Sequence, residues 1–271
     1  MKVYHFCREN GKSNFGDDMS PGFVSSILGE SVTYASPMTA QIMAVGSILS
    51  YWTKRERSLR RDILDMLMGR APIAIWGSGL VAERNLVLPK VDILAVRGPL
   101  TAKCMKIDGN VIYGDPGLLA SLVMPSMPKT GKIGIVPHYV DKVNKTLDPF
   151  REDMRFMVID VEAPWEQVLK EISSCEMVLS SSLHGLIVAD SYGIPNMRLK
   201  FSNLINGGDF KFLDYGLSVD RAHIEGRVIV GPEDIEKAVL KLSGMVCEVP
   251  KVRLEQMQED LISILVKWRG K

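Results

Sequence analysis

Long apolar runs are missing from this sequence. No stretch approaches the roughly 20 residues that span a bilayer, so no membrane-crossing helix is expected. Closely spaced cysteines are missing too. Cys7, Cys104, Cys175 and Cys247 lie far apart with no CxxC pair, which removes the usual spacing of a zinc site or a dithiol redox centre. Four buried or idle thiols are the expectation. Charge of one sign is missing as well: 33 basic residues stand against 32 acidic ones, for a net charge of +1. That balance lacks the footprint of nucleic-acid binding and contains no acidic tail. The opening MKVYHFC is too short an apolar run for a secretory leader and already reads as a strand, so a cytoplasmic protein is expected. GxxxxGK(S/T), HExxH and GxSxG are all absent, and with them the usual signals of nucleotide triphosphate hydrolysis, zinc proteolysis and serine esterase chemistry.

What is present is an ordinary soluble composition, 46% hydrophobic and 24% charged over 271 residues, long enough for one large or two medium domains. Apolar runs alternate with amphipathic ones. KVYHF reads as a strand. A polar loop follows, and then a helix from Asp18 to Leu28 with Ser20 as its cap and Pro21 in its first turn. IMAVGSIL reads as a strand, and SLRRDILDMLMG, residues 58–69, has helical spacing with Gly69 as its stop. PIAIWGSG, ILAVRG and NVIYGD read as strands, the last two followed by helices at PLTAKCM and PGLLASLV. MPSMPKTG, residues 124–131, is the best linker. After it the alternation restarts with strands at KIGIVPHY, RFMVIDV, MVLSSS and NMRLK. Helices are expected at APWEQVLKEISSC, LHGLIVADSYG and EDIEKAVLKLSG, and a long amphipathic one closes the chain. Strands alternating with helices imply parallel sheets covered on both faces. The expected architecture is therefore α/β, with two Rossmann-like doubly wound domains, residues 1–125 and 126–250, facing a cleft. The helix at 251–271 would pack on the chain's own core and could cross back to the first domain.

In such folds ligands bind beyond the carboxyl ends of strands, so the strand-to-helix turns hold the candidate site. The most polar is SSSLHG, where Ser180, Ser181, Ser182 and Leu183 lead into His184 and Gly185. A helix start offers unpaired N–H groups and about half a positive charge. Three hydroxyls and an imidazole beside it suit a phosphate or carboxylate, and Gly185 leaves room for a ligand. The alternative is a serine-capped helix with a structural histidine. Asn14, Gly16, Asp17 and Asp18 form a second turn, either a capped helix start or a polar loop whose Asp17 or Asp18 accepts a proton from a substrate hydroxyl. Gly77, Ser78 and Gly79 fit G-x-G-x-x-A after a strand, but Asp92 precedes the next strand instead of ending it, so the dinucleotide fingerprint is incomplete. Close packing, or backbone contact with a ligand, is expected there. Arg97 ends a strand and suits a bidentate anion contact or a structural ion pair. Asp115, in YGDPG, reads as turn chemistry. His138 ends the first strand after the linker and could face the cleft. Asp190 lies six residues beyond His184 and does not share its helical face.

Five of these turns occur in a definite order: N-x-G-D, the glycine turn, R-G-P-x-T, G-D-P-x-L-L, and S-S-x-L-H-G-x-x-x-A-x-x-x-G-x-P. The series, from about Val3 to Leu199, resembles the polysaccharide pyruvyl transferase family, and the SSSLHG form looks closest to members acting on bacterial exopolysaccharide. The resemblance implies a fold like that of GT-B glycosyltransferases and transfer of pyruvate from phosphoenolpyruvate to a sugar diol of a polysaccharide or its lipid-linked precursor. The product would be a cyclic ketal, with phosphate released and neither metal nor cofactor required. For that chemistry His184 is the candidate acid or phosphate holder and Asp17 the candidate base, with Asp18 behind it. Asn14, Gly16, Asp18, Gly77, Ser78, Gly79, Arg97, His138, Ser180, Ser181, Ser182, Leu183 and Gly185 would bind substrate. Many members carry Arg-Leu-His where this sequence has Ser182-Leu183-His184, so Arg97, Arg198 and Lys200 are the candidates to hold the donor's charge.

Three other readings stay open: a GT-B-type glycosyltransferase using a nucleotide-sugar, with the Gly77 turn at its diphosphate; a sugar-binding relative without turnover; and an oxidoreductase. At the C-terminus, Trp268 among Lys267, Arg269 and Lys271 offers a contact to the inner face of the cell membrane, where a lipid-linked acceptor would lie.

Overall fold

The computed structural model describes residues 1–6, 14–37, 39–50, 71–86, 88, 91–221, 224, 226–244 and 249–270. The helix expected at 58–69 lies outside them. Strands β1 (Lys2–Tyr4), β2 (Thr33–Tyr34), β3 (Ile42–Met43), β4 (Ile73–Trp76), β5 (Val91–Val96) and β6 (Ile112–Tyr113) form one sheet in the order β2-β1-β3-β4-β5-β6. Strands β7 (Ile133–Val136), β8 (Phe156–Val158), β9 (Met177–Ser180), β10 (Asn196–Lys200) and β11 (Arg227–Val228) form the second, in the order β11-β10-β9-β7-β8. Every pairing is parallel. Residues 125–131, all but the first of the expected linker, run exposed and without regular structure between the sheets.

Both sheets are apolar on both faces, as parallel sheets must be. In the first, Val3, Ile42, Ala74 and Trp76 belong to one buried cluster, while their strand neighbours Tyr4, Met43 and Ile75 belong to another. The second sheet alternates the same way, with Val136 and Val178 against Ile135 and Leu179. Val136 and Val178 share a cluster with Val3 and Ile42, so one apolar layer runs between the two sheets.

Helices α1 (Phe15–Leu28), α5 (Trp165–Ser174), α6 (Leu183–Ser191) and α9 (Lys251–Arg269) fill that layer with Phe15, Met19, Val168, Ile172, Val188, Leu261 and Leu265. The shorter α2 (Pro99–Cys104), α3 (Ala120–Val123) and α4 (Asp148–Glu152), with α7 (Phe210–Ser218) and α8 (Pro232–Ser243), complete the helices among the described residues. The C-terminal α9 does cross back: the Trp76 indole Nε1 donates to the Leu261 carbonyl at 2.9 Å, and Trp268 Nε1 to Asp92 at 3.3 Å. Trp268 therefore packs, half-buried, against the core of its own chain.

Helix α1 starts earlier than expected. Asn14 is its cap, with its side-chain oxygen accepting from the Gly16 and Asp17 amides. Ser20 and Pro21 lie inside the helix. The Ser20 hydroxyl instead accepts from the Val45 amide at 3.0 Å, tying α1 to the chain after β3.

In each sheet the second strand in sequence pairs outside the first, and the third pairs on its other side. Strand order therefore reverses between β1 and β3 and again between β7 and β9. These reversals are the topological switch points at which open α/β sheets bind ligands.

Candidate active site

The two switch points open into one cavity with an empty volume of ≈ 710 Å³, its open mouth included. Phe6, Ser47 and Ile48 reach it from the first sheet, beyond β1 and β3, while His138, Ser182, Leu183 and His184 reach it from the second, beyond β7 and β9. Asn14 and Asp17 line it from the start of α1, and Lys211 from the start of α7.

Asn14 caps α1 and lines the cavity at once. While its oxygen holds the first amides of α1, its Nδ2 donates to Asp17 Oδ2 at 2.5 Å. Asp17 is thereby fixed, 7% exposed, with Oδ1 against Gly46. A Cβ on Gly46 would come within 2.6 Å of that oxygen. Burial above all, and Asp18 next door, raise the Asp17 carboxyl to about 7 against the Asn14 hydrogen bond.

His184 lies in the first turn of α6, a helix buried along its whole length. Its ring packs directly on Gly16, with the edge of Phe15 against it at 6.3 Å between ring centres. On its other side Nε2 lies 3.9 Å from Asp115 Oδ2, and neither atom has a hydrogen-bond partner. Burial, then the charges of Arg97, Lys211 and His138, lower the imidazole to about 3. Asp115 is raised to about 6, chiefly by burial. Its Oδ1 does the turn chemistry read from the sequence, accepting from the Gly117 amide at 2.9 Å. Its Oδ2 faces the histidine.

Several candidates prove to be structural. Ser180 is wholly buried, its hydroxyl directed at the Val136 and Ser182 carbonyls. Ser181 donates to Asp141 at 2.7 Å and accepts from the His138 amide at 2.9 Å, so it positions His138. A Cβ on Gly185 would strike Ser180 and Val136, so its small size serves the packing of α6 on the sheet. Ser182 lines the cavity, and its hydroxyl caps no helix amide. Asp18 faces His5 at 3.4 Å, outside the cavity lining.

The glycine turn is closed. Gly77 has φ +79°, and Pro116 and the Gly114 carbonyl fill the space a side chain would need. Ser78 bonds the Ala44 carbonyl, and Gly79 lies on the Arg97 guanidinium. None of the three lines the cavity.

Arg97 is the ion pair of its two readings, fully buried and spent on Asp214 at 3.2 Å, Ser47 at 2.7 Å and the Leu80 carbonyl at 2.6 Å. Thr101 adds two hydrogen bonds to the same carboxylate, from its amide at 2.9 Å and its hydroxyl at 2.6 Å. R-G-P-x-T is thus a clamp on Asp214, and a Cβ on Gly98 would collide with that residue. Arg198 is likewise engaged, with Asp209, the Ile224 carbonyl and the face of Phe212, while Lys200 lies 3.8 Å from Asp209.

The family model described as polysaccharide pyruvyl transferase matches residues 40–202, more than half of the chain. The chain belongs to this family. Among curated relatives, the succinoglycan biosynthesis protein ExoV of Rhizobium meliloti (strain 1021) is 25% identical over 85% of this chain and 68% of its own. The uncharacterized protein L143 of Acanthamoeba polyphaga mimivirus is 33% identical over 52% of this chain, which spans 53% of that protein. A crystal structure of an uncharacterized protein, KP1_0663, from Klebsiella pneumoniae has a TM-score of 0.41 at 12% identity over 85% of this chain and 92% of that one, too low a likeness to carry an argument.

Within this polysaccharide pyruvyl transferase family member, Asn14, Asp17, His138, Ser182, Leu183 and His184 meet at the cavity, with Gly16 directly beneath the histidine. Arg97, Asp18, Ser180, Ser181, Gly185 and the Gly77 turn do not line it. Lys211 and Asp115 had no place among the expected site residues. Asp115 was legible only as a turn. Lys211 sits in a helix the apolar pattern does not reveal, since the buried face of α7 carries Lys211, Asp214 and Ser218 among its members.

Proposed function

We propose that the protein transfers pyruvate from phosphoenolpyruvate to two hydroxyls of a saccharide in polysaccharide synthesis, forming a ketal and releasing phosphate. One observation carries this reading above the others: an imidazole and a carboxyl with displaced proton affinities, His184 and Asp17, line one cavity where two switch points face each other. Titratable groups pushed apart by their surroundings are the mark of paired acid and base roles.

In the proposed mechanism His184 gives a proton to the methylene carbon of the enol phosphate. The neighbouring carbon becomes cationic, a saccharide hydroxyl adds to it, and Asp17 takes the hydroxyl proton. Phosphate leaves with its bonding pair, a second hydroxyl closes the ring, and the net exchange is donor plus diol for ketal plus hydrogen phosphate. Burial and the nearby cations hold His184 neutral, so the donor must load it. A unit charge 4 Å away contributes about 4 kcal/mol at an effective dielectric of 20, about three pKa units. A phosphate carrying two charges is therefore enough to bring the ring from about 3 to neutral pH or above. Asp115, behind Nε2, would then gain the partner both atoms lack.

Incubation of the protein with phosphoenolpyruvate and candidate free or lipid-linked oligosaccharides tests this reading. Phosphate release should accompany a mass gain of one pyruvyl ketal on the saccharide. Release of a nucleoside diphosphate from a nucleotide-sugar, with none of phosphate from phosphoenolpyruvate, would sink it.

A further inference from the structure

The cavity contains a cation that the expected site lacked. Lys211 is 9% exposed, yet it lines the opening where Asp17, His138 and His184 meet. Among the described residues no carboxylate lies within ion-pair distance of its ammonium. The neighbouring charges are Asp17 and Asp141 on one side of the balance and Arg97 and Arg198 on the other, with His184 close enough to respond to the lysine. The Phe212 ring lies 5.5 Å from the ammonium. Burying a cation without a partner costs several kcal/mol. Lys211 avoids most of that cost because its ammonium opens to the cavity, and a cation held there unpaired leaves its partner to come from outside.

The lysine is also held there. It stands three residues before Asp214, one turn away on the same face of α7. Asp214 is clamped by Arg97 and by Thr101 from two positions. The three groups of R-G-P-x-T that hold Asp214 therefore fix the start of α7 against the first sheet, and Lys211 with it.

We propose that Lys211 is the anchor for the anionic group of the donor, a phosphate or carboxylate, and that the Arg97–Thr101–Asp214 clamp serves to aim it. This inference rests on the pyruvyl-transfer reading for the donor's identity, but the anion site stands on the geometry alone.

The test uses the full chain, with phosphoenolpyruvate and inorganic phosphate as separate probes in calorimetric titrations between pH 7 and 9.5. Lys211→Met should weaken binding of both about ten- to a hundredfold, the range of a charged hydrogen bond, while Lys211→Arg keeps most of it. Burial, with Arg97 next, lowers the lysine to about 8. Its charge is present below that pH and lost above it, so wild-type affinity should fall as the pH rises through 8, and Lys211→Arg affinity should not. Undiminished binding by folded Lys211→Met, or a flat wild-type profile over that range, overturns the inference and leaves the pyruvyl-transfer reading intact. Lysine-dependent binding of phosphate without phosphoenolpyruvate keeps the anchor and overturns that reading. If the wild-type protein binds neither probe, both fail.

Discussion

Replacing Gly16 with alanine sets a methyl group against the His184 ring. The new Cβ would lie 2.7 Å from Cε1 and closer still to Nδ1 and Cγ. Even Cε1 has to give up about 0.7 Å to reach ordinary contact at 3.4 Å, and Nδ1 about twice that in an interior packed as densely as a crystal. Retreat is obstructed by Phe15 at one edge and Asp115 at the other. Overpacking of this kind costs about 1–3 kcal/mol. Alanine returns up to about 1 kcal/mol through helix propensity, less so close fit in the first turn. The net loss of up to about 3 kcal/mol should lower the melting temperature by about 10 °C at most, at about 2–4 °C per kcal/mol for a chain of this size. Turnover should suffer far more, because a 1 Å displacement of a reacting group costs about 10²-fold. The assay is phosphate release from phosphoenolpyruvate with an active acceptor, alongside thermal denaturation of the same sample. A folded Gly16→Ala protein with wild-type turnover would refute the reasoning, since the ring could not then be working from where it lies.

His184→Ala should keep the fold and lose about 10²–10⁴ in turnover, the usual worth of acid–base catalysis; a variant with full activity ends the assignment. Asp17 is raised in the folded protein to about 7 from 3.8, so its contribution to stability is full below pH 4 and lost as the pH rises towards 7. Relative to Asp17→Asn, the wild type should lose on the order of 4 kcal/mol over that window if the whole shift is expressed. Parallel denaturation curves for the two proteins at pH 4 and 7 would contradict the burial argument. Arg97→Ala leaves Asp214 charged and buried without its guanidinium, which should cost about 3–5 kcal/mol of stability. An unchanged urea midpoint would show that the clamp does not hold the fold together.

The alternation of strands and helices was legible because parallel strands buried on both faces read as unbroken apolar runs, as IAIW and MVLS do. The meeting of His184 with the N-x-G-D turn was legible only as a conjunction of motifs. What brings them together is the double reversal of strand order, and that depends on pairings between distant segments. Helix α7 escaped notice because its inward face mixes Lys211, Asp214 and Ser218 with Phe212 and Tyr215. The roles of Ser180, Ser181 and Arg97 could not be told apart in sequence. A hydroxyl or guanidinium at a strand end looks the same whether it points at a ligand or at Val136 and Asp214, and the partner Asp214 is 117 residues from Arg97. A helix cap and a polar loop at the cavity were posed as alternatives at Asn14, yet one side chain caps the helix and also holds Asp17 at the cavity, because its oxygen serves the backbone and its amide serves Asp17.

The central claim is that the cavity between the two switch points receives phosphoenolpyruvate. Calorimetric titration of the wild-type protein at pH 7 with phosphoenolpyruvate, and separately with UDP and GDP, tests it most directly. Saturable binding of phosphoenolpyruvate with a Kd of about 1 μM to 1 mM, the usual substrate range, with inorganic phosphate competing and neither nucleotide giving heat, is the result predicted. Binding of UDP or GDP with no response to phosphoenolpyruvate would contradict it.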